Sequence, residues 1–141
     1  MKADEVTRAA VMEVMEDYAR LYSKGDIEGI LKLFDPDAAV IGTGEDEWRT
    51  GLDELREQVE RDLSQVDSVS LEYSDARVLS LGDVSWMRCR FTGRAGMGES
   101  DLSLSGRMTG VFVKNDGRWM IAQSHFSIAY GEQEEGESWP D

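Results

Sequence analysis

Up to Leu63 the apolar residues of this chain recur at intervals of three and four, and from Val69 onward they alternate with polar ones. That change of period constrains the fold more than any other feature: helices come first and strands after, an α+β order. Val11, Val14, Met15, Tyr18, Leu21 and Tyr22 share one helical face, and Glu13, Glu16, Asp17 and Arg20 fill much of the rest. Ser23-Lys24-Gly25-Asp26 stops this helix and starts another. Gly25 suits the left-handed C-terminal position and Asp26 the N-cap. Ile27, Ile30, Leu31 and Phe34 continue as a short amphipathic helix, ending at Asp35-Pro36 because the residue before proline avoids helical geometry. Ala38 to Gly42 predicts a short strand. Leu52, Leu55, Val59 and Leu63 then mark a third helix, with Thr50 and Asp53 resembling a capping box.

In the second half Val69, Leu71 and Tyr73 alternate with Ser70 and Glu72, and residues 76–81 extend the pattern before Leu81-Gly82-Asp83 turns into VSWMRCRFTG. GRAGMGES reads as a glycine-rich hinge leading to DLSLSGRMTGVFV. Lys114-Asn115-Asp116-Gly117 predicts a tight hairpin, since Asn/Asp-Gly supplies the positive φ values such turns require. WMIAQSHFSIAY closes the sheet. Three helices followed by four long antiparallel strands predict a strongly bent sheet wrapping helices around a cavity. Residues 1–130 form one domain in this reading, and GEQEEGESWPD, 131–141, an acidic mobile tail.

Acids outnumber bases 29 to 15, a net charge of −14, so the far field repels nucleic acid and anionic membrane. Single cysteine Cys89 rules out an internal disulfide, and single histidine His125 rules out a multi-histidine metal site. No metal or cofactor is expected. MKADEVTRAA lacks the apolar stretch of a signal peptide, and no apolar run approaches about 18 residues. A cytoplasmic setting is the expectation.

The order of elements, the stretch KGDIEGILKLFDPDAAV, the spacing in EWRTG and the strand DGRWMIAQSHFS resemble the nuclear-transport-factor-2-like superfamily, and within it the SnoaL-like branch. That branch is similar to the association domain of calmodulin-dependent kinases, where a strand of the form DGxWxIxxxH occurs. The likeness runs from about residue 5 to 130. It implies a cone-shaped α+β barrel, three N-terminal helices on a strongly curved antiparallel sheet, with an open pocket and dimerisation through the sheet.

Function does not follow from fold, because this superfamily holds isomerases, cyclases, dehydratases, epoxide hydrolases and non-catalytic modules. The steroid-isomerase pattern puts its oxyanion tyrosine on Tyr18, but its base position falls on Gly42 and its second acid near Thr109. Proton abstraction therefore has no carboxylate where that pattern expects one. Epoxide hydrolysis needs a buried Asp-Arg-Asp set; Arg88 or Arg90 fits the arginine, but the late strands offer no inward aspartate.

In VSWMRCRFT, Trp86, Arg88 and Arg90 share one face and Met87, Cys89 and Phe91 the other. An indole beside two guanidiniums can line a pocket that recognises a carboxylate. Arg90 matches one pocket arginine of the kinase association domain; Gly110 and Phe126 stand where two others would be, which leaves Arg107 as a further anion contact. The competing reading is exposed arginines paired with acids. On the last strand Gln123, His125 and Ser127 form a polar stripe, which the resemblance turns towards the cavity. His125 is then a structural histidine, a ligand contact or a general acid/base. Trp48 caps the pocket mouth or anchors packing.

The expectation is a homodimeric small-molecule-binding or oligomerising module. Its pocket holds Tyr18, Trp48, Trp86, Arg88, Arg90, Arg107, Gln123 and His125, and suits a partly apolar carboxylate. The alternative is an isomerase, cyclase or lyase using Tyr18 and His125 as donor and acid/base, converging across the cavity. A third reading is a structural hub with an apolar interface through Met87 and Phe91.

Overall fold

A computed structural model describes residues 1–140; Asp141, the end of the predicted tail, lies outside the described residues. The elements are helices α1 (Glu5–Lys24), α2 (Ile27–Leu31) and α3 (Gly51–Ser64), and strands β1 (Phe34–Ile41), β2 (Trp48–Thr50), β3 (Ser68–Leu81), β4 (Val84–Met97), β5 (Ser100–Asn115) and β6 (Arg118–Ser127).

Helix α1 starts where the Asp4 carboxylate accepts from the Thr7 N–H at 2.7 Å, and stops where Gly25 turns left-handed at φ 68°. Asp26 caps α2 by accepting from the Gly29 N–H at 2.9 Å. The second helix is shorter than its periodicity predicts. It ends at Leu31, and Phe34 opens β1 instead of closing the helix. Pro36 fits in β1 because the ladder to β6 is irregular between Phe34 and Ala39, so no ladder donor is needed there. At α3 the Thr50 side chain makes no cap bond; Glu54 rather than Asp53 reaches back, accepting from the Thr50 N–H at 3.4 Å. The GRAGMGES stretch is strand on both sides of a turn at Gly98, not a hinge. The hairpin at Asp116-Gly117 has φ of 52° and 77°, and joins Asn115 to Arg118 directly.

The strands form one sheet of order β2-β1-β6-β5-β4-β3. This corrects the cone-shaped barrel. The sheet is open and is not strongly curved, with β2 and β3 at its two edges and residues 1–3 bridged to β3 at Leu79. Nor is it all antiparallel, since β1 runs parallel to β6. The physical reason is closure: a barrel needs a ladder between its first and last strands, and the edge strand β2 has only three residues.

All three helices cover one face. Val11, Met15, Ile30, Leu55 and Val59 meet Val78, Met87, Cys89, Phe91, Met108, Phe112 and Ile121 from the strands. The Met87–Cys89–Phe91 face of β4 therefore belongs to the core, which overturns an oligomer interface through Met87 and Phe91.

Candidate functional site

Beyond the end of this core the helices and the inner sheet face diverge and leave a cavity of about 340 Å3. Its two walls differ in chemistry. Strands β3 to β5 contribute Val69, Leu71, Phe91, Ala95, Leu102 and Leu104, and β6 adds Phe126. The opposite wall carries Tyr18 and Tyr22 of α1, Glu47 and Arg49 around β2, and Gln58 and Asp62 of α3.

Gln58 organises that polar wall. Its amide nitrogen donates to Glu47 Oε1 at 2.9 Å and to Asp62 Oδ1 at 2.7 Å. Its oxygen accepts from Arg49 Nε at 3.1 Å and from Arg61 at 3.3 Å. With both ends of the amide engaged, its orientation is fixed. The Tyr22 hydroxyl donates to Asp62 as well. Burial pushes the Asp62 carboxyl above its ordinary range, and Glu47 adds to this, while the bonds from Tyr22 and Gln58 pull the other way. Burial also raises the Tyr18 and Tyr22 hydroxyls, so both stay protonated donors. Among the described residues nothing is bonded to the Tyr18 hydroxyl, which leaves it free for a bound molecule. Tyr18 is held by Phe34 and Phe126, with ring centroids at 6.1 and 6.3 Å.

Gly42, where the isomerase base would stand, lines the cavity without a side chain. The neighbouring space is filled from elsewhere: a Cβ on Gly42 would come within 2.9 Å of the Glu47 side chain. A carboxylate therefore lies beside the position that the backbone leaves empty, delivered by the 42–47 loop. Glu47 and Asp62 escaped sequence reasoning. The available signal was on α3, where Gln58 and Asp62 continue the stripe of Leu55 and Val59 at the same three-and-four spacing.

The predicted site residues do not converge. Tyr18 alone of the eight lines this cavity. Trp48 is 72% exposed on β2 and caps nothing. Trp86, Arg88, Arg90, Arg107, Gln123 and His125 share the outer sheet face, away from the helices. The Arg90 side chain is 69% exposed and pairs with Asp75 at 3.4 Å. Tyr18 and His125 thus stand on opposite sides of the sheet and cannot act on one molecule. The reason is register: Ser124 and Phe126 point inward on β6, so Gln123 and His125 must point out.

Cys89 is buried and burial lifts its thiol to about 11, consistent with a packing role. Among the described residues no cluster of His, Cys, Asp or Glu is placed to hold a metal ion. No helix there is long and apolar enough to cross a membrane.

The family model of the SnoaL-like domain matches residues 11–131. The chain belongs to this family. Solved structures agree on the fold. A candidate aromatic ring hydroxylase from Novosphingobium aromaticivorans is 18% identical, with 92% of this chain and 93% of that one covered at a TM-score of 0.84. A candidate scytalone dehydratase from the same organism is 20% identical, covering 89% and 85% at 0.82. A nuclear transport factor 2-like protein from Salmonella enterica is 16% identical, covering 97% and 100% at 0.84. At these identities the likeness establishes the fold alone. No protein of curated function matches the chain significantly.

Proposed function

We propose that this SnoaL-like domain binds a small, uncharged, largely apolar molecule bearing a hydroxyl or carbonyl group. The observation that carries the reading is the division of the 340 Å3 cavity into an apolar wall and a polar one. Such a pocket takes up hydrocarbon surface along the strands and orients one polar atom at Tyr18, Asp62 and Glu47. A carboxylate ligand fits poorly, since the polar wall holds two carboxyl groups, its Arg49 is already engaged by Gln58 and Glu57, and Arg90 and Trp86 face outward. The ligand domain in this reading is residues 1–130.

The test is thermal stability against matched sets of apolar alcohols, ketones and carboxylates, on wild type and Tyr18→Phe. Ligand that binds only the native state raises the melting temperature. Alcohols or ketones should raise it, with the shift reduced in Tyr18→Phe. Stabilisation by carboxylates alone would reject the reading.

A second reading rests on the two carboxyl groups joined through Gln58. It is a proton-transfer enzyme of the isomerase, cyclase or lyase type, and His125 has no part in it. Tyr18 donates to the substrate oxygen, Glu47 removes a proton, and Asp62 supplies one. Some proteins of similar fold are described as candidate dehydratases. Turnover of a bound alcohol or ketone, abolished by both Glu47→Gln and Asp62→Asn with binding retained, would establish it. Binding without turnover returns the protein to the receptor reading.

A further inference from the structure

The outer face of the sheet reverses the charge of the molecule. It gathers Arg77, Arg88, Arg90 and Arg107 in a chain whose net charge is −14. Arg77 stands directly across from Arg88, and Arg90 directly across from Arg107. Like charges in facing positions destabilise a sheet unless something acidic lies between them. Asp75 serves Arg90 at 3.4 Å, and Arg107 donates only to the Ser127 hydroxyl at 3.4 Å. Among the described residues no acid is within ion-pair distance of Arg77, Arg88 or Arg107. Beside them lies a depression of about 550 Å3 floored by Leu79, Trp86 and Val111. The face therefore asks for a partner that is acidic and carries an apolar anchor.

One segment of this chain has that chemistry. After β6 come Glu132, Glu134, Glu135 and Glu137, followed by Trp139, which is 84% exposed. Every residue from 128 to 140 is exposed. The bonds of residues 130–137 are local: Gln133 N–H to Tyr130 O at 3.1 Å, Glu137 N–H to Glu134 O at 3.2 Å, and the Gln133 side chain to Glu137 O at 2.7 Å. A single chain thus leaves its own segment off its own face, although the segment starts next to Arg107.

We propose that two copies of this chain exchange their C-terminal segments, each segment laying its glutamates along the partner's outer-face arginines with Trp139 in the depression. Two such faces brought together bare would set arginine against arginine. The acidic segments remove that repulsion, and a two-fold exchange supplies one segment to each face. Arginine–carboxylate pairs fix the register, and the buried indole is the anchor. This inference is independent of what the cavity binds.

Sedimentation equilibrium of the full chain tests it, at low salt and at about 500 mM, where such pairs are screened. Wild type should be dimeric at micromolar concentration and dissociate with salt. Two full-length variants should each weaken the dimer at least about tenfold while keeping their circular dichroism. One carries Glu132→Gln, Glu134→Gln, Glu135→Gln, Glu137→Gln and Trp139→Ala; the other carries Arg88→Glu and Arg107→Glu. Mixing a chain whose four glutamates are changed to lysine with the Arg→Glu chain should restore a mixed dimer. A wild type that stays monomeric at about 100 μM overturns the proposal. So does a segment variant that dimerises as tightly as wild type, because the faces then pack without it.

Discussion

Two half-buried polar side chains make opposite demands on the fold, and each can be tested by removing one group. The Tyr73 hydroxyl is buried and bonded to nothing, and its burial raises it well above an ordinary phenol. Its desolvation is therefore uncompensated. Tyr73→Phe should leave stability unchanged or raise it by up to about 1 kcal/mol, read by urea denaturation. A loss of that size would mean an ordered water bridges the hydroxyl. Asp62 differs because it titrates. Burial raises its carboxyl in the folded state, so the folded chain holds that proton more tightly than the unfolded chain. Its favourable contribution is full below the ordinary carboxylate range and is lost as pH rises through the folded value. Asp62→Asn keeps the shape of the protonated form and cannot ionise. The melting temperature of the variant minus that of wild type should therefore grow as the pH rises above the ordinary carboxylate range. A difference that does not change with pH would show that the carboxyl titrates normally.

At the scale of elements, the sheet depends on a close approach between β5 and β6 at Gly106. A Cβ there would collide with the Ser127 carbonyl oxygen and come within 2.9 Å of the Phe91 ring. Because one obstacle is backbone, the strands themselves would have to separate. Gly106→Ala should cost about 2–4 kcal/mol in denaturant unfolding, whereas alanine at Gly131, which has open space around it, should be neutral. Equal effects would mean that the strand end yields cheaply. The glycine was visible in the sequence, but its neighbour was not. The same division separates what could be read from what could not. Gly25, Asp26 and Asp116-Gly117 act on residues within four positions, and local chemistry predicted them. Strand β1 pairs with β6 across most of the chain, and that pairing decides both the parallel ladder and the open edges. Alternation also finds the two faces of a strand without saying which is inward. On β6 the alternation itself breaks: Trp119 and Ile121 point inward, the ladder to β5 shifts at Ala122, and beyond it Ser124 and Phe126 point inward. Gln123 and His125 therefore lie outside, although strict alternation groups them with Trp119 and Ile121. Glu47 was hidden for a third reason: it acts beside Gly42, where the position in the chain holds no side chain.

For the whole molecule the governing quantity is charge. The pI of about 4.4 leaves the chain strongly anionic at neutral pH. Exposed ion pairs such as Arg94–Glu72 at 3.1 Å offset little of the repulsion, since each contributes about 0–1 kcal/mol. Added salt screens repulsion spread over the whole surface, and it screens attraction between an acidic segment and a basic face equally well. The two consequences have opposite signs. Between about 10 and 500 mM sodium chloride at pH 7 the melting temperature of a dilute sample should rise by a few degrees, because folding concentrates like charges. Over the same range self-association should weaken, because its pairs join unlike charges. Near pH 4.4 the net charge vanishes, and the salt dependence of melting should vanish with it. Melting and association that both strengthen with salt would point to apolar contacts as the holding force between copies. The arginines of the outer face would then be spectators of an interface made by Trp86 and Leu79.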